Sequence, residues 1–85
     1  MTATEFKATR QQLLAGFAPK REQTQVFGVM LGYDRNSAAQ IIREKERGER
    51  PITNFDLQMI AYIALIKKVT GNILAAAAVV PALNE

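Results

Sequence analysis

Residues 27–51 read FGVMLGYDRNSAAQIIREKERGERP, and their pattern indicates two helices with a tight turn between them. The first apolar run stops at Gly32, and glycine is the residue that most often ends a helix. The second run has apolar residues at helical spacing and stops at Gly48. We therefore predict helices over residues 22–31 and 37–47.

Gly28 lies in the middle of the first of these helices, four residues before the turn glycine. A glycine inside a helix is less favourable than alanine by about 1 kcal/mol, so its position calls for a structural reason. Two helices joined by a short turn must cross at close range. We predict that Gly28 marks this crossing and allows the two backbones to approach.

The rest of the chain also has helical patterns, and no segment shows the alternation typical of a strand. A first helix is predicted over residues 4–14, capped by Thr4, and a fourth over residues 55–68. A short fifth helix is predicted over the apolar residues 73–80. The expected fold is all-α, a compact domain of four to five helices over residues 1–85.

The expected core positions follow from the same spacing, and polar residues mark two of the helix starts. The residues that should face inward are Phe6, Leu13, Leu14, Phe27, Met30 and Leu31. Asn36 or Ser37 should cap the third helix, and Thr53 or Asn54 the fourth.

The composition argues against an enzyme. The 85 residues include no cysteine and no histidine, which removes disulfides, thiolate metal sites and the most common general base. There is no glycine loop for phosphates, and Glu44, Glu46 and Glu49 fit a solvated charge pattern beside arginine and lysine. We expect no cofactor and no metal.

The hydropathy pattern also argues against a membrane protein. The apolar run at residues 73–80 has eight residues, whereas a membrane-spanning helix needs about 20. No secretory signal is visible at the start of the sequence. We expect a cytoplasmic protein that does not bind a membrane.

The third helix has two chemically different sides when it is projected at 100° per residue. Ala38, Ile41 and Lys45 fall on one side, with Ile42 beside them. The opposite side holds a stripe without acids, formed by Asn36, Gln40, Arg43 and Arg47.

Such a stripe suits the major groove of DNA. Asparagine and glutamine amides pair with the adenine edge, and arginine pairs in a bidentate way with guanine. The alternative reading is an ordinary solvated face, which every surface helix has. The tight glycine turn before the helix favours DNA.

Contacts to the DNA backbone would come from residues around the two helices. Lys20 and Arg21 precede the first of them, Arg47 and Arg50 bracket the end of the second, and Thr53 opens the next helix. Arg35, in the turn, could contact either a phosphate or a base.

Three segments together resemble the XRE (Cro/repressor-like) helix-turn-helix family. They are residues 5–13 (EFKATRQQL), residues 31–39 (LGYDRNSAA) and residues 46–52 (ERGERPI). The closest likeness is to small phage and prophage regulators with an "LG…NAA…(R)WE-x-GERPI" pattern, and it covers roughly residues 4–66. The resemblance implies a lambda-repressor-like helical bundle that binds operator DNA, usually as a dimer.

The resemblance also implies roles for individual residues. By position, the base-reading residues are Arg35, Asn36, Ser37, Gln40 and Arg43. The helix-turn-helix would occupy residues 22–47, with the later of its two helices as recognition helix.

The sequence departs from the family pattern at three places. Thr24 stands where the family often has a glutamine that contacts phosphate, and we predict a phosphate contact from Thr24 in its place. The loop over residues 15–21 looks longer than usual. Lys45 replaces an aromatic residue. We expect its stem to lie on the core and its amine to extend outward.

The fourth helix is apolar nearly all round, which is unusual for a surface helix of a small monomer. We therefore predict a two-fold dimer formed through residues 55–80. The predicted interface residues are Phe55, Met59, Tyr62, Ile63, Ile66, Ile73, Leu74 and Val80. The alternative is a monomer in which the C-terminal segment folds back over the core.

The sequence thus predicts a DNA-binding transcriptional regulator, a dimeric repressor that reads an inverted repeat, with its own operon as a candidate target. The alternative is a protein-interaction module on the same fold, such as an antitoxin or a phage inhibitor of a host defence complex. The two functions are compatible in one protein.

Overall fold

The computed structural model describes residues 1–71, and these are helical without any strand. The predicted all-α class is confirmed for this part of the chain. The predicted fifth helix, over residues 73–80, lies outside the described residues. The four α-helices, with one turn of 3-10 helix at Lys20–Glu22, are α1 (Ala3–Leu14), α2 (Gln23–Met30), α3 (Ala38–Glu46) and α4 (Asn54–Thr70). No helix within residues 1–71 has the length and apolarity needed to cross a membrane.

Two of the helices begin with a reciprocal capping arrangement. The Thr53 hydroxyl accepts the N–H of Asp56 at 3.1 Å, and the Asp56 carboxylate accepts the N–H of Thr53 at 2.9 Å. Thr2 and Glu5 make the same exchange at the start of α1. The prediction of Thr53 as a cap is confirmed, whereas Thr4 was the wrong cap because Thr2 and Glu5 together satisfy two backbone N–H groups.

The core is formed by apolar residues from all four helices. The fully or almost fully buried ones are Phe6, Leu13, Leu14, Phe27, Met30, Leu31, Ala38, Ile42, Ile60 and Ile63. The rings of Phe6 and Phe27 lie 5.5 Å apart between centroids in a tilted arrangement, which joins α1 to α2. The inward positions predicted for α1 and α2 are confirmed.

The turn between α2 and α3 depends on two glycines. Gly32 has a φ of 97°, which is strained for other residues, and the next N–H, of Tyr33, bonds the carbonyl of Gly28 at 3.0 Å. A β-carbon on Gly28 would lie 2.6 Å from the β-carbon of Ala38 and 2.8 Å from its carbonyl oxygen. The predicted close crossing of the two helices at Gly28 is therefore confirmed.

Candidate nucleic-acid interface

The exposed side of α3 carries two of the residues that the sequence predicts to read bases. Gln40 and Arg43 are exposed, whereas Ala38, Ile42 and Lys45 are buried on the opposite side. Ile41, expected to face inward, is half-buried. The exposed positions of α3 thus hold one amide and one guanidinium, and no carboxylate.

The other three predicted base-reading residues lie in the turn before α3. Arg35, Asn36 and Ser37 are all exposed, and the Asn36 N–H bonds the side chain of Asp34 at 3.1 Å. Ser37 is the residue that precedes α3, but its hydroxyl makes no capping hydrogen bond. The structure therefore leaves these side chains accessible at the start of the helix that carries Gln40 and Arg43.

The cations around this surface fall into two groups. Within residues 1–71, Lys20, Arg21, Arg35 and Arg43 make no ion pair with an acid. Arg47 and Arg50 are paired with Glu49 and Glu44, each at 2.9 Å between nitrogen and oxygen. Both arginines are about half exposed in these pairs, and exposed ion pairs contribute only about 0–1 kcal/mol. An arginine that leaves its acid to pair with a phosphate would therefore lose little free energy.

The two threonines predicted to contact phosphate differ in their surroundings. Thr24 is half-buried in the first turn of α2. Thr53 is exposed, and its hydroxyl accepts the N–H of Asp56, which leaves the hydroxyl hydrogen available to donate. Gln23, next to Thr24, is buried and bonds the carbonyl of Ala18 at 3.2 Å, so its amide is held inside the fold.

Behind this surface, a buried arginine connects three helices. Arg10 of α1 donates to both carboxylate oxygens of Glu46 at 2.6 and 3.0 Å, and to the Gln23 side chain at 2.9 Å. The prediction of Glu46 as a solvated charge was therefore wrong. The missed signal was Arg10 itself, because it shares the inward stripe of α1 with Phe6 and Leu14, and a charge in such a place requires a partner.

A second buried cluster lies at the same end of α3, at the residue before Glu46. Lys45 is 2% exposed, and its amine donates to the Asp56 carboxylate and, at 3.1 Å, to the Pro51 carbonyl. The amine also lies 5.1 Å from the centre of the Tyr33 ring, whose hydroxyl donates to Asp56. The expectation that the Lys45 amine extends outward was therefore wrong, because α4 places an acid directly opposite it.

The pKa values of this second cluster reflect its hydrogen bonds. Burial alone would raise the pKa of Asp56, but bonds from Lys45, Tyr33 and the Thr53 N–H together lower it below its ordinary value. Burial and the hydrogen bond to Asp56 raise the pKa of Tyr33. Asp56 is thus held as a carboxylate and Tyr33 as a neutral donor.

The outer side of α4 presents an apolar stripe to solvent. Phe55, Tyr62, Leu65 and Val69 are 48%, 39%, 57% and 75% exposed. Met59 and Ile66, two other predicted interface residues, are half-buried against the core.

Not every predicted interface residue lies on this outer side. Ile63 was a poor choice because it falls two turns after Asp56 on the inner side of α4 and is fully buried within the subunit. Ile73, Leu74 and Val80 lie outside the described residues.

Comparisons of this chain with protein-family models, with curated proteins and with solved structures found no match. The residues of this chain and their geometry are therefore the basis for its proposed function.

Proposed function

We propose that the protein is a sequence-specific regulator that binds double-stranded DNA through a lambda-repressor-like helix-turn-helix formed by α2 and α3. The observation that carries this proposal is the chemistry of the exposed side of α3. Gln40 is suited to adenine and Arg43 to guanine in the major groove. The inner side of α3 is small where it crosses Gly28, so α2 supports the recognition helix at close range.

The cations around α3 would supply the affinity that does not depend on sequence. Lys20 and Arg21 lie before α2, and Arg47 and Arg50 lie after α3, so positive charge flanks the helix pair at both ends. Contacts of this kind fix the register on DNA and make binding sensitive to salt. Thr24 and Thr53 would add hydroxyl contacts to phosphates.

Two copies of the chain would read an inverted repeat. In an antiparallel pairing of two α4 helices around Tyr62, Phe55 of one copy faces the partner's Val69, and the exposed stripe covers itself. The stripe contains no charged residue, so self-association brings no like charges together. Half-site centres would then lie about 34 Å apart, or a multiple of this distance.

The alternative to a dimer is that another segment of the same chain packs on this stripe. Residues 73–80 are apolar, but eight residues extend only about 12 Å as a helix, whereas Phe55 to Val69 spans about 21 Å. An extended segment would be long enough, but it would leave backbone groups facing α4 without partners. A second α4 covers the full length with its hydrogen bonds already made.

We infer repression by occlusion of a promoter, in the cytoplasm, with the protein's own operon as one target. The proposed functions of the exposed sides of α3 and α4 are DNA binding and dimerisation. Both features serve simple blocking of a site.

Selection from a pool of random DNA duplexes tests the proposal, followed by titration of the enriched duplex at several salt concentrations. We expect a two-fold symmetric site and an affinity that falls linearly with salt on logarithmic axes. Equal binding to all duplexes, or no binding, would rule out sequence-specific regulation through α3.

A protein-interaction role is the second candidate function, and one surface feature favours it. An open groove runs along α2, and its apolar lining residues are Phe17, Val26, Val29 and Met30. Glu22 and Arg35 are among its polar lining residues. Such a groove is suited to an apolar segment of a protein partner.

Two substitutions distinguish these functions when the variants are assayed in the organism that carries the protein. Loss of biological activity in Arg43→Ala but not in Val29→Glu would support the DNA-binding function. The reverse pattern would support the protein-interaction function, because Val29 lines the groove and Arg43 does not.

A further inference from the structure

Tyr33, Lys45 and Asp56 form a buried polar cluster that joins three separate parts of the chain. Tyr33 comes from the turn before α3, Lys45 from the last turn of α3, and Asp56 from the first turn of α4. The side chains of Lys45 and Asp56 are 2% and 0% exposed. No buried side-chain polar atom within residues 1–71 is left without a hydrogen-bond partner, so the cluster is complete.

Stability alone does not account for a buried ion pair at this position. Apolar residues of similar volume often stabilise a protein as well as a buried pair does, or better. What hydrogen bonds add is direction, because they fix the separation and orientation of the groups that they join. The cluster therefore fixes the relative positions of the segments that it joins.

Asp56 is the shared acceptor of the cluster. One carboxylate oxygen accepts the Tyr33 hydroxyl, and the other accepts the Lys45 amine and, at 2.9 Å, the N–H of Thr53. The Lys45 amine also bonds the Pro51 carbonyl at 3.1 Å. One carboxylate thus connects the turn, the end of α3, the following loop and the cap of α4.

Along the chain, the cluster adjoins both surfaces that the proposed function uses, which are the base-reading turn and the outer stripe of α4. Tyr33 is two residues before Arg35 in the exposed turn, and Asp56 directly follows Phe55, the first residue of the α4 stripe. A displacement of α4 relative to the turn would have to stretch or break the bond between Tyr33 and Asp56. The side chains of a binding site tolerate displacements of only about 0.5 Å from the geometry that binds.

We propose that the Tyr33–Asp56–Lys45 cluster is a positioning element, which fixes the base-reading turn and α3 relative to α4 and thereby sets the sequence specificity of the protein. This inference rests on the proposed DNA-binding function. Tyr33, Lys45 and Asp56 themselves do not contact DNA in it. They act through Arg35, Asn36 and the exposed side of α3.

Tyr33→Phe is the sharpest test because it keeps the ring beside Lys45 and removes only the hydroxyl. Thr2→Ala is the control, since it removes the α1 capping hydroxyl, which belongs to a different helix end. Each purified variant is assayed at the same interval below its own Tm. Its affinity is measured for the operator selected by the wild-type protein and for a scrambled duplex of the same length. The quantity compared is the ratio of the two affinities.

We expect the affinity ratio to fall roughly tenfold in Tyr33→Phe and to stay at the wild-type value in Thr2→Ala. The salt dependence of binding to the scrambled duplex should be the same in all three proteins, since no phosphate contact is lost. An equal ratio in Tyr33→Phe and Thr2→Ala would overturn the inference.

Hydrogen exchange followed by NMR tests the coupling without DNA. The Ser37 N–H bonds the Asp34 carbonyl in the turn, and the Leu57 N–H bonds the Thr53 carbonyl at the start of α4. We expect Tyr33→Phe, but not Thr2→Ala, to speed exchange at both amides. Unchanged exchange at either amide would overturn the inference. A wild-type protein without sequence preference would instead overturn the proposed function. Hydrogen exchange would then be the one remaining test of the coupling between the turn and α4.

Discussion

Gly28 of α2 and Ala38 of α3 pack so closely that a β-carbon on Gly28 would lie 2.6 Å from the β-carbon of Ala38. The carbonyl oxygen and carbon of Ala38 would lie 2.8 and 3.0 Å away, so the obstacle includes backbone that a rotamer change does not move. This contact sets how closely α3 lies on α2, and hence how far its outer side projects.

Gly28→Ala should lower the free energy of unfolding by about 1–3 kcal/mol, because overpacking outweighs the better helix propensity of alanine. Urea denaturation of the variant measures this. Addition of Ala38→Gly should restore only part of the loss, since the Ala38 carbonyl remains. A Gly28→Ala protein as stable as the wild type would contradict the close crossing.

Arg10→Ala should lower the free energy of unfolding by about 3–5 kcal/mol, because it leaves the Glu46 carboxylate without its partner in a buried place. The double variant Arg10→Met, Glu46→Leu should recover most of this loss. Arg47→Ala, which breaks an exposed pair, is the control and should change stability by less than about 1 kcal/mol. Similar losses in Arg10→Ala and Arg47→Ala would show that the buried network does not hold α1 to α3.

Asp56 should make stability depend on pH on the acid side. Its pKa is lower in the folded protein than the ordinary value of 3.8, so the unfolded chain binds the proton first as pH falls. Its contribution is therefore complete well above pH 3.8 and is lost as pH falls through the lowered folded pKa.

The comparison that isolates this effect is wild type against Asp56→Asn, in urea denaturation at a series of pH values. The difference in stability should be greatest near neutral pH and should shrink below about pH 4. A difference that stays constant down to pH 2 would mean that Asp56 is not stabilised as a carboxylate.

Tyr62→Glu should convert a dimer into a monomer, since it places two carboxylates at the centre of the proposed α4 pairing. Sedimentation velocity of the full chain measures the change. Ala61→Glu is the matched control, because Ala61 is exposed but lies about 100° further round the helix. A wild-type protein that remains a monomer at concentrations near 100 μM, a range typical of weak dimers, would favour coverage of the stripe by the same chain.

Local sequence signals were sufficient for most of the fold. Gly32 and Gly48 have positive φ just after the ends of α2 and α3, where the sequence predicted these helices to stop. Helical spacing also identified the inner sides of α1 and α2. These features depend on residues close to one another in the chain.

Features that depend on contacts between distant residues were harder to predict. Spacing placed Lys45 on the inner side of α3, but whether a lysine extends to solvent or pairs inside depends on the residue opposite, which is Asp56. Residues 59–66 of α4 are all apolar or aromatic, so the pattern could not separate buried Ile63 from exposed Leu65. Which residues of α4 are buried depends on how the other helices pack against it.

Selection of binding sites from random duplexes by the wild type, Arg43→Ala and Arg50→Ala would test whether α3 reads DNA. We predict that Arg43→Ala loses the preference for one guanine in each half-site and weakens operator binding by about 1–3 kcal/mol. Arg50→Ala should keep every base preference and bind all duplexes more weakly, with a smaller salt slope. An Arg43→Ala protein that selects the wild-type site with unchanged affinity would show that the exposed side of α3 does not read bases.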